Sequence, residues 1–196
     1  AHSVCSHHGK PFARYWLHNA YVRVDKRKMS KSLGNTLVVH DLMKQHPFEE
    51  LPYVLQGAHY RHPQDCSEQD LDNARRTLDR LYGVLRTASD RFGPFSADER
   101  PGETFLEALR DDLNTPVALA EFNRVARELA KADDREDAQR AAGELLADAE
   151  LIGLLQSTPE EWFGAGTSDE EGAEIEDLVR QRNEARAARD FATADT

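Results

Sequence analysis

Ser67-Glu68-Gln69-Asp70-Leu71-Asp72-Asn73-Ala74, running on through Leu78, Leu81, Leu85 and Ala88, decides the fold of this chain. From Leu71 onward these apolar residues are separated by alternating steps of three and four, which puts them on one face of a helix. Ser67 with Asp70 three positions on forms a capping box in which Asp replaces the usual Glu or Gln, so a long helix is predicted from about Ser67 to Arg91. Its other face carries Arg75, Arg76, Arg80 and Arg86 mixed with Asp72 and Asp79, a pattern that reads as a solvated face rather than an RNA track. A single apolar stripe needs partner helices, and the sequence supplies them downstream.

After the linker that starts at Phe92-Gly93-Pro94-Phe95 and runs to Gly102, a helix is predicted over Glu103 to Leu113, turning Phe105, Leu106 and Leu109 inward. Asn114-Thr115-Pro116 gives a cap and a proline at the first helical position. The helix Pro116 to Ala132 is expected to bury Leu119, Phe122, Ala126 and Leu129, and the helix Arg135 to Leu155 to bury Ala138, Ala142, Leu145, Ala149 and Ile152. Each is too narrow in apolar surface to stand alone, so an antiparallel bundle with the Ser67 helix is the expected solution. Asp111 and Asp112, adjacent near a turn, point in different directions and read as structural rather than as an acid/base pair. Gly164 to Gly172 is a low-complexity linker. Beyond it Arg182, Arg186 and Arg189 share a helical stripe that can meet phosphate or bases, or pair with Glu184 and Asp190 in solvent.

Upstream of the long helix, Ala20 to Val24 reads as a strand and His40 to Gln45 as a short helix ended by Pro47. The following helix is expected to begin near Pro52, where proline costs little. Between strand and short helix lies Lys28-Met29-Ser30-Lys31-Ser32-Leu33-Gly34-Asn35. Two ammonium groups three residues apart, with hydroxyls and backbone N–H donors around them, suit a polyanion such as a triphosphate.

Charge agrees with that reading of the Lys/Ser loop. Residues 1–44 hold eight Lys/Arg against two Asp/Glu, whereas 45–196 hold seventeen against thirty-four, for a net charge of −11. A broad basic nucleic-acid surface is therefore excluded, and positive charge gathers around the Lys/Ser loop. No apolar run approaches a membrane span of about 20 residues and no signal peptide is visible, so the expectation is a cytoplasmic protein that does not enter a membrane. Cys5 and Cys66 suggest no disulfide framework. His2, Cys5, His7 and His8 match none of the two-plus-two zinc spacings, so no metal site is assigned in this chain.

The Lys28–Ser32 run resembles the second signature of the class I aminoacyl-tRNA synthetases. Together with Tyr15-Trp16-Leu17-His18-Asn19, Gly57-Ala58-His59-Tyr60-Arg61, Asp111-Asp112-Leu113-Asn114-Thr115-Pro116 and the Arg/Ala-rich 180–195, the whole chain is similar to the cysteinyl-tRNA synthetase family. That resemblance implies a mainly α chain: the C-terminal edge of a Rossmann-like class I catalytic domain, then an antiparallel DALR-type bundle on the anticodon side. The implied segments are 1–45 (end of the catalytic domain with the signature loop), 46–66 (a stem-contact connection), 67–157 (the bundle), 158–173 (a linker) and 174–196 (the start of an anticodon-binding domain).

By resemblance the substrates are ATP with Mg2+, cysteine and tRNA(Cys), and the protein is a monomer. Lys28, Met29, Ser30, Lys31 and Ser32 bind ATP, with Lys31 the principal phosphate ligand and Lys28 its helper. Trp16 and His18 neighbour the adenine, and Arg61, Arg182, Arg186 and Arg189 are RNA-contact candidates. The family's zinc has its ligands in motifs that precede Ala1, so Cys5 and the nearby histidines do not inherit that role. The resemblance also implies a fragment that lacks the first half of the catalytic domain and is inactive alone. Pro52 departs from the family, which has an arginine there. Two alternatives remain: a paralogue joining cysteine to an amino-sugar, disfavoured by the long 103–196 region, and a non-catalytic tRNA-binding helical fragment.

Overall fold

The computed structural model describes residues 6, 10–11, 13–24, 27–28, 39–44 and 46–164. β-Branched Val22 and Val24 flank Arg23 in strand β1 (Val22–Val24), the centre of a three-stranded sheet. β2 (Arg27–Lys28) runs antiparallel to it with Arg23 opposite Lys28, and β3 (Gln64–Asp65) runs parallel with Arg23 opposite Asp65. The strand is shorter than the predicted Ala20 to Val24. Its pairing nevertheless extends outward, because the Ala20 N–H donates to the Tyr60 carbonyl at 2.8 Å and the Cys66 N–H to the Arg23 carbonyl at 2.9 Å.

Helix α1 (Val39–Leu42) is a single turn, shorter than predicted, and α2 (Glu50–Gln56) places Pro52 in its first turn, where the missing N–H has no intrahelical partner to lose. The long helix α3 (Glu68–Phe92) follows as the stripe requires. Its capping box is complete: the Asp70 N–H donates to Ser67 Oγ at 3.2 Å and the Ser67 N–H returns to the Asp70 carboxylate at 3.0 Å. All six predicted stripe residues are buried, and Tyr82 joins them.

At 1.5 Å per residue α3 is about 37 Å long, enough to serve two cores. Leu71 and Ala74 pack with Val54 and Cys66 into a small cluster that touches Val22 of the sheet. From Leu78 onward the same stripe enters the main core with Phe105, Phe122, Val125 and Leu145. Phe105 and Phe122 are fully buried, each worth roughly 2–3 kcal/mol relative to exposure.

The main core is closed by α4 (Glu103–Arg110), α5 (Thr115–Leu129) and α6 (Arg135–Ile152), with consecutive helices packed on one another as the short connections dictate. Leu119, Phe122, Ala126 and Leu129 of α5, and Ala138, Ala142, Leu145 and Ala149 of α6, are buried as expected. Boundaries and caps differ in detail, α5 among them ending at Leu129 rather than Ala132. α4 stops at Arg110 rather than Leu113, because Asp112 and Leu113 take positive φ values of 53° and 54° and turn the chain. Asn114 makes no capping bond with its side chain; the Ala118 N–H is taken by its carbonyl at 3.0 Å instead. α6 ends at Ile152 because Gly153 adopts φ 71°, a left-handed cap that favours glycine.

A further difference lies in the stretch 158–173. Pro159–Gly164 is a helix, α7, and its Trp162 is 4 % exposed against α3. The indole N–H donates to Asp79 at 2.8 Å and its ring stacks on Tyr82 with 4.5 Å between centroids.

Candidate functional site

The sheet places the entry to the Lys/Ser run and the segment before β3 on either side of β1. Chain leaving β2 at Lys28 enters the Lys/Ser signature and re-emerges at Val39 of α1. On the other side of β1, the stretch His59-Tyr60-Arg61 leads into β3. Met29, Ser30, Lys31 and Ser32 lie outside the described residues, as do Arg182, Arg186, Arg189, Cys5, His7 and His8. Lys28 is described through its backbone, opposite Arg23. Trp16 and His18 stand on an exposed stretch with nearly parallel rings 6.4 Å apart.

Arg61 is the described member of the RNA-contact candidates, and the structure gives it a partner. The Asp112 carboxylate accepts from Arg61 Nε at 2.6 Å, from Arg61 Nη2 at 3.0 Å and from the Tyr60 hydroxyl at 2.6 Å. His59 Nε2 stands 3.9 Å away, and its ring stacks on Tyr60. A bidentate guanidinium and a hydroxyl both stabilise the ionised form. They hold the Asp112 carboxyl down to about 2, with the Arg61 bonds the larger cause, and the same carboxylate pushes the Tyr60 hydroxyl and the Arg61 guanidinium up.

Asp112 is thus held as an anion by Arg61 and Tyr60. Its side chain joins the turn between α4 and α5 to the segment that pairs with the sheet. Arg61 retains 57 % side-chain exposure, so the paired guanidinium still faces solvent.

A second, buried joint connects the start of α2 to α3 and to the segment after α6. Glu49, just before α2, is 3 % exposed and accepts from the Tyr82 hydroxyl at 2.6 Å, from the Leu155 N–H at 2.6 Å and from the Gln156 N–H at 3.0 Å. Burial, then the bond to Glu49, raises the Tyr82 hydroxyl well above its ordinary range. Next to it, Glu50 pairs with His46 at 2.8 Å and with Arg75 at 3.6 Å, and Arg75 continues to Asp79 at 2.9 Å while lying over Trp162. Sequence reasoning did not find either acid. Glu49-Glu50 looks like any solvated pair, and the only hint is that an acidic pair precedes a helix whose neighbours are apolar.

Among the described residues no three of His, Cys, Asp and Glu stand together as metal ligands. Cys66 is 1 % exposed in the small core, and burial raises its thiol.

Comparison with known proteins is consistent with this geometry. Residues 1–76 match the family described as tRNA synthetases class I (C) catalytic domain, and residues 104–156 match the DALR domain. The chain is 48 % identical to a cysteine–tRNA ligase of Rhodospirillum rubrum over 198 aligned positions, covering all of this chain and 42 % of the relative. Cysteine–tRNA ligases of Xanthomonas campestris pv. campestris and Haemophilus influenzae are 48 % and 44 % identical, again over all of this chain and 42 % of their own length. The chain therefore spans less than half the length of the curated relatives it matches.

Proposed function

We propose, for a chain that belongs to the class I (C) tRNA synthetases through residues 1–76 and carries a DALR domain over residues 104–156, that it is the signature-loop and helical-arm part of a cysteine–tRNA ligase. The observation that supports this most is the sheet itself. Its antiparallel edge feeds the Lys28–Ser32 signature, and its parallel edge is tied through Arg61 and Asp112 to the bundle. The strand that leads into the proposed phosphate-binding stretch and the helical arm are thereby joined through one sheet.

In the proposed reaction an oxygen of the cysteine carboxylate bonds to the α-phosphorus of ATP. The bond to the bridging oxygen breaks, and pyrophosphate leaves with the electron pair. A ribose hydroxyl of tRNA(Cys) then takes the acyl group, and AMP departs. Lys31, assisted by Lys28, meets the negative charge that grows on the leaving pyrophosphate. Stabilisation that appears mainly in the transition state lowers the barrier rather than merely tightening ground-state binding. Met29, Ser30 and Ser32 contribute to the same ATP contact, Arg23 adds a positive charge opposite Lys28, and Mg2+ accompanies the triphosphate.

Arg61 would present its exposed edge to the acceptor stem, with Arg182, Arg186 and Arg189 contributing beyond the bundle. The reading divides the chain at the boundaries given above, apart from the helical piece at 159–164, and assigns it to a cytoplasmic monomer. No helix among the described residues is long and apolar enough to cross a membrane.

ATP–pyrophosphate exchange driven by cysteine tests the assignment. In a protein that also carries the rest of the catalytic domain, Lys31→Ala is expected to cost about 3 kcal/mol, roughly a hundredfold in adenylate formation, as for loss of one transition-state charge stabiliser. An unchanged first step would remove the signature from the mechanism. The 196-residue chain by itself is expected to show no exchange.

A further inference from the structure

Residues 93–102 join α3 to α4 without helix or strand of their own, and they lie along α6 rather than looping away from it. Arg135 donates to the Phe92 carbonyl, Gln139 Nε2 to the Ser96 carbonyl at 3.1 Å, and the Asp98 N–H to the Gly143 carbonyl at 3.0 Å. These three α6 positions are four residues apart and form one stripe of the helix. At Gly143 the segment crosses over. A Cβ there would meet the Asp98 carboxylate, so glycine leaves the room in which it sits. Beyond the crossing the Gly102 N–H donates to Asp148 Oδ1 at 2.8 Å.

The first three anchors contain no group that changes charge near neutral pH. The fourth is a carboxyl, and acids crowd it. Glu144 of α6 and Glu121 of α5 act on Asp148, with Arg124 of α5 opposing them. Arg124 already binds Glu121 and Glu128, and it stands 4.0 Å from Glu144. Burial raises Glu144 too; Arg124 offsets part of that rise, while Glu121, Glu128 and Asp98 of the crossing segment add to it. Asp98 also lines a cavity of about 350 Å³ with Glu99 and Glu150, and Glu103 at the start of α4 is taken by Arg110.

Ionisation of Asp148 has two opposed effects. It strengthens the single bond from the Gly102 N–H. It also leaves a charge at 0 % exposure, its Oδ2 meeting no protein donor, among like charges that one shared guanidinium does not cancel. The second effect is the larger, since burial keeps the proton on Asp148 up to about 7. Lifting the segment from Asp98 to Gly102 wets Oδ2 and parts Asp98 from Glu144.

We propose that residues 93–102 are a pH-sensitive strap, latched to α6 while Asp148 holds its proton and released from Asp98 to Gly102 once Asp148 and Glu144 ionise. Release is local, because Phe105 and Ala108 keep α4 in the main core. What loosens is the start of α4, the helix whose far end turns at Asp112 to reach Arg61. The latch is fully present below about 4 and is lost as pH rises to about 7, the opening constant growing about tenfold per pH unit between.

Hydrogen exchange of the 196-residue chain, followed amide by amide by NMR between about pH 5 and pH 8 and corrected for base catalysis, tests the strap. The Asp98 and Gly102 N–H groups are expected to lose at least about thirtyfold in protection across that range, at rates unchanged by about 1 M urea. The N–H of Val125, buried on α5, exchanges only when the bundle opens; it should be slower and should quicken with urea. D148N should hold the strap's protection within about threefold throughout. E144Q removes one like charge from Asp148 and should shrink the loss without abolishing it. An equal loss in D148N or, should that variant fail to fold by circular dichroism, an undiminished loss in E144Q would refute the latch. Strap amides that share the rate and urea dependence of Val125 would overturn it as well, since the segment would then open only with the whole bundle.

Discussion

Asp148 allows the energetics of the bundle to be tested in isolation from any ligand. It lies on α6 with 0 % exposure, its Oδ1 accepting the Gly102 N–H at 2.8 Å and its Oδ2 without a hydrogen-bond partner. Glu144, Glu121 and Arg124 surround it electrostatically, and Asp98 stands beside Glu144. Burial is the largest influence and pushes the Asp148 carboxyl from 3.8 up to about 7, against the lowering effect of the Gly102 N–H. Burial raises Glu144 as well.

A raised carboxyl binds its proton more tightly in the folded chain, so unfolding releases protons and stability falls as pH rises. The contribution is fully present below about 4 and is lost as pH climbs to about 7. Across that window the linkage amounts to about 4 kcal/mol, an upper figure because the partly solvated neighbours relax.

Asp148→Asn keeps the acceptor for Gly102 and cannot ionise, at a cost of about 1 kcal/mol for an amide N–H2 placed where no acceptor waits. The variant is therefore expected to match or slightly trail the parent at pH 4.5 and to exceed it by roughly 2–3 kcal/mol at pH 8.5. For a chain of this size that is about 5–10 °C in Tm. Urea unfolding followed at 222 nm over pH 4.5–8.5 gives the difference curve, in which titrating groups not coupled to Asp148 cancel. Parallel pH profiles for the two proteins would refute the buried-carboxylate account.

Two further outcomes test the joints and the long helix. Glu49→Ala strips the acceptor from the Tyr82 hydroxyl and from the Leu155 and Gln156 N–H groups, and should cost about 3–5 kcal/mol by urea unfolding; a loss under about 1 kcal/mol would mean water replaces it. Gly83→Ala adds a methyl group where nothing stands within 4 Å and should stabilise the chain by about 0.5–1 kcal/mol, read as a rise in Tm, whereas a fall would reveal a contact there.

What the sequence disclosed was periodic, and what it hid was tertiary. The α3 stripe and its Ser67–Asp70 box could be read because both are local. The end of α4 could not: it is set where Asp112 must turn back to meet Arg61, fifty-one residues earlier in the chain. Helix α7 was legible in principle, since Thr158 and Glu161 form a reciprocal cap with Pro159 at the first position. Its shortness and its low-complexity neighbours obscured that signal. The phosphate signature was read from the Lys/Ser run and its neighbours. The pairing of Arg75, against the neutral partners Asn123 and Phe163 of Arg80 and Arg86, depends on which helix lies opposite, which charge patterning along α3 does not record.

The Asp112 and Glu49 joints differ in kind: the first ties residues 59–61 to the α4–α5 turn, and the second ties the start of α2 to α3 and to the segment after α6. At Asp112 the turn holds two consecutive non-glycine residues in the left-handed region, each costing about 1 kcal/mol, for the sake of a carboxylate aimed at Arg61 and Tyr60. Leu155 takes φ 52° where its N–H reaches Glu49. Strain of this sort persists only where other contacts over-determine the backbone, so both segments are fixed by the acids they engage. Glu49 is buried and little screened, whereas the Asp112 clamp is exposed and weakens with salt. The buried joint therefore holds α2 to the bundle under all ionic conditions. The exposed one sets the register of residues 59–61 against the α4–α5 turn, at the place where an approaching polyanion would compete with Asp112 for the guanidinium of Arg61.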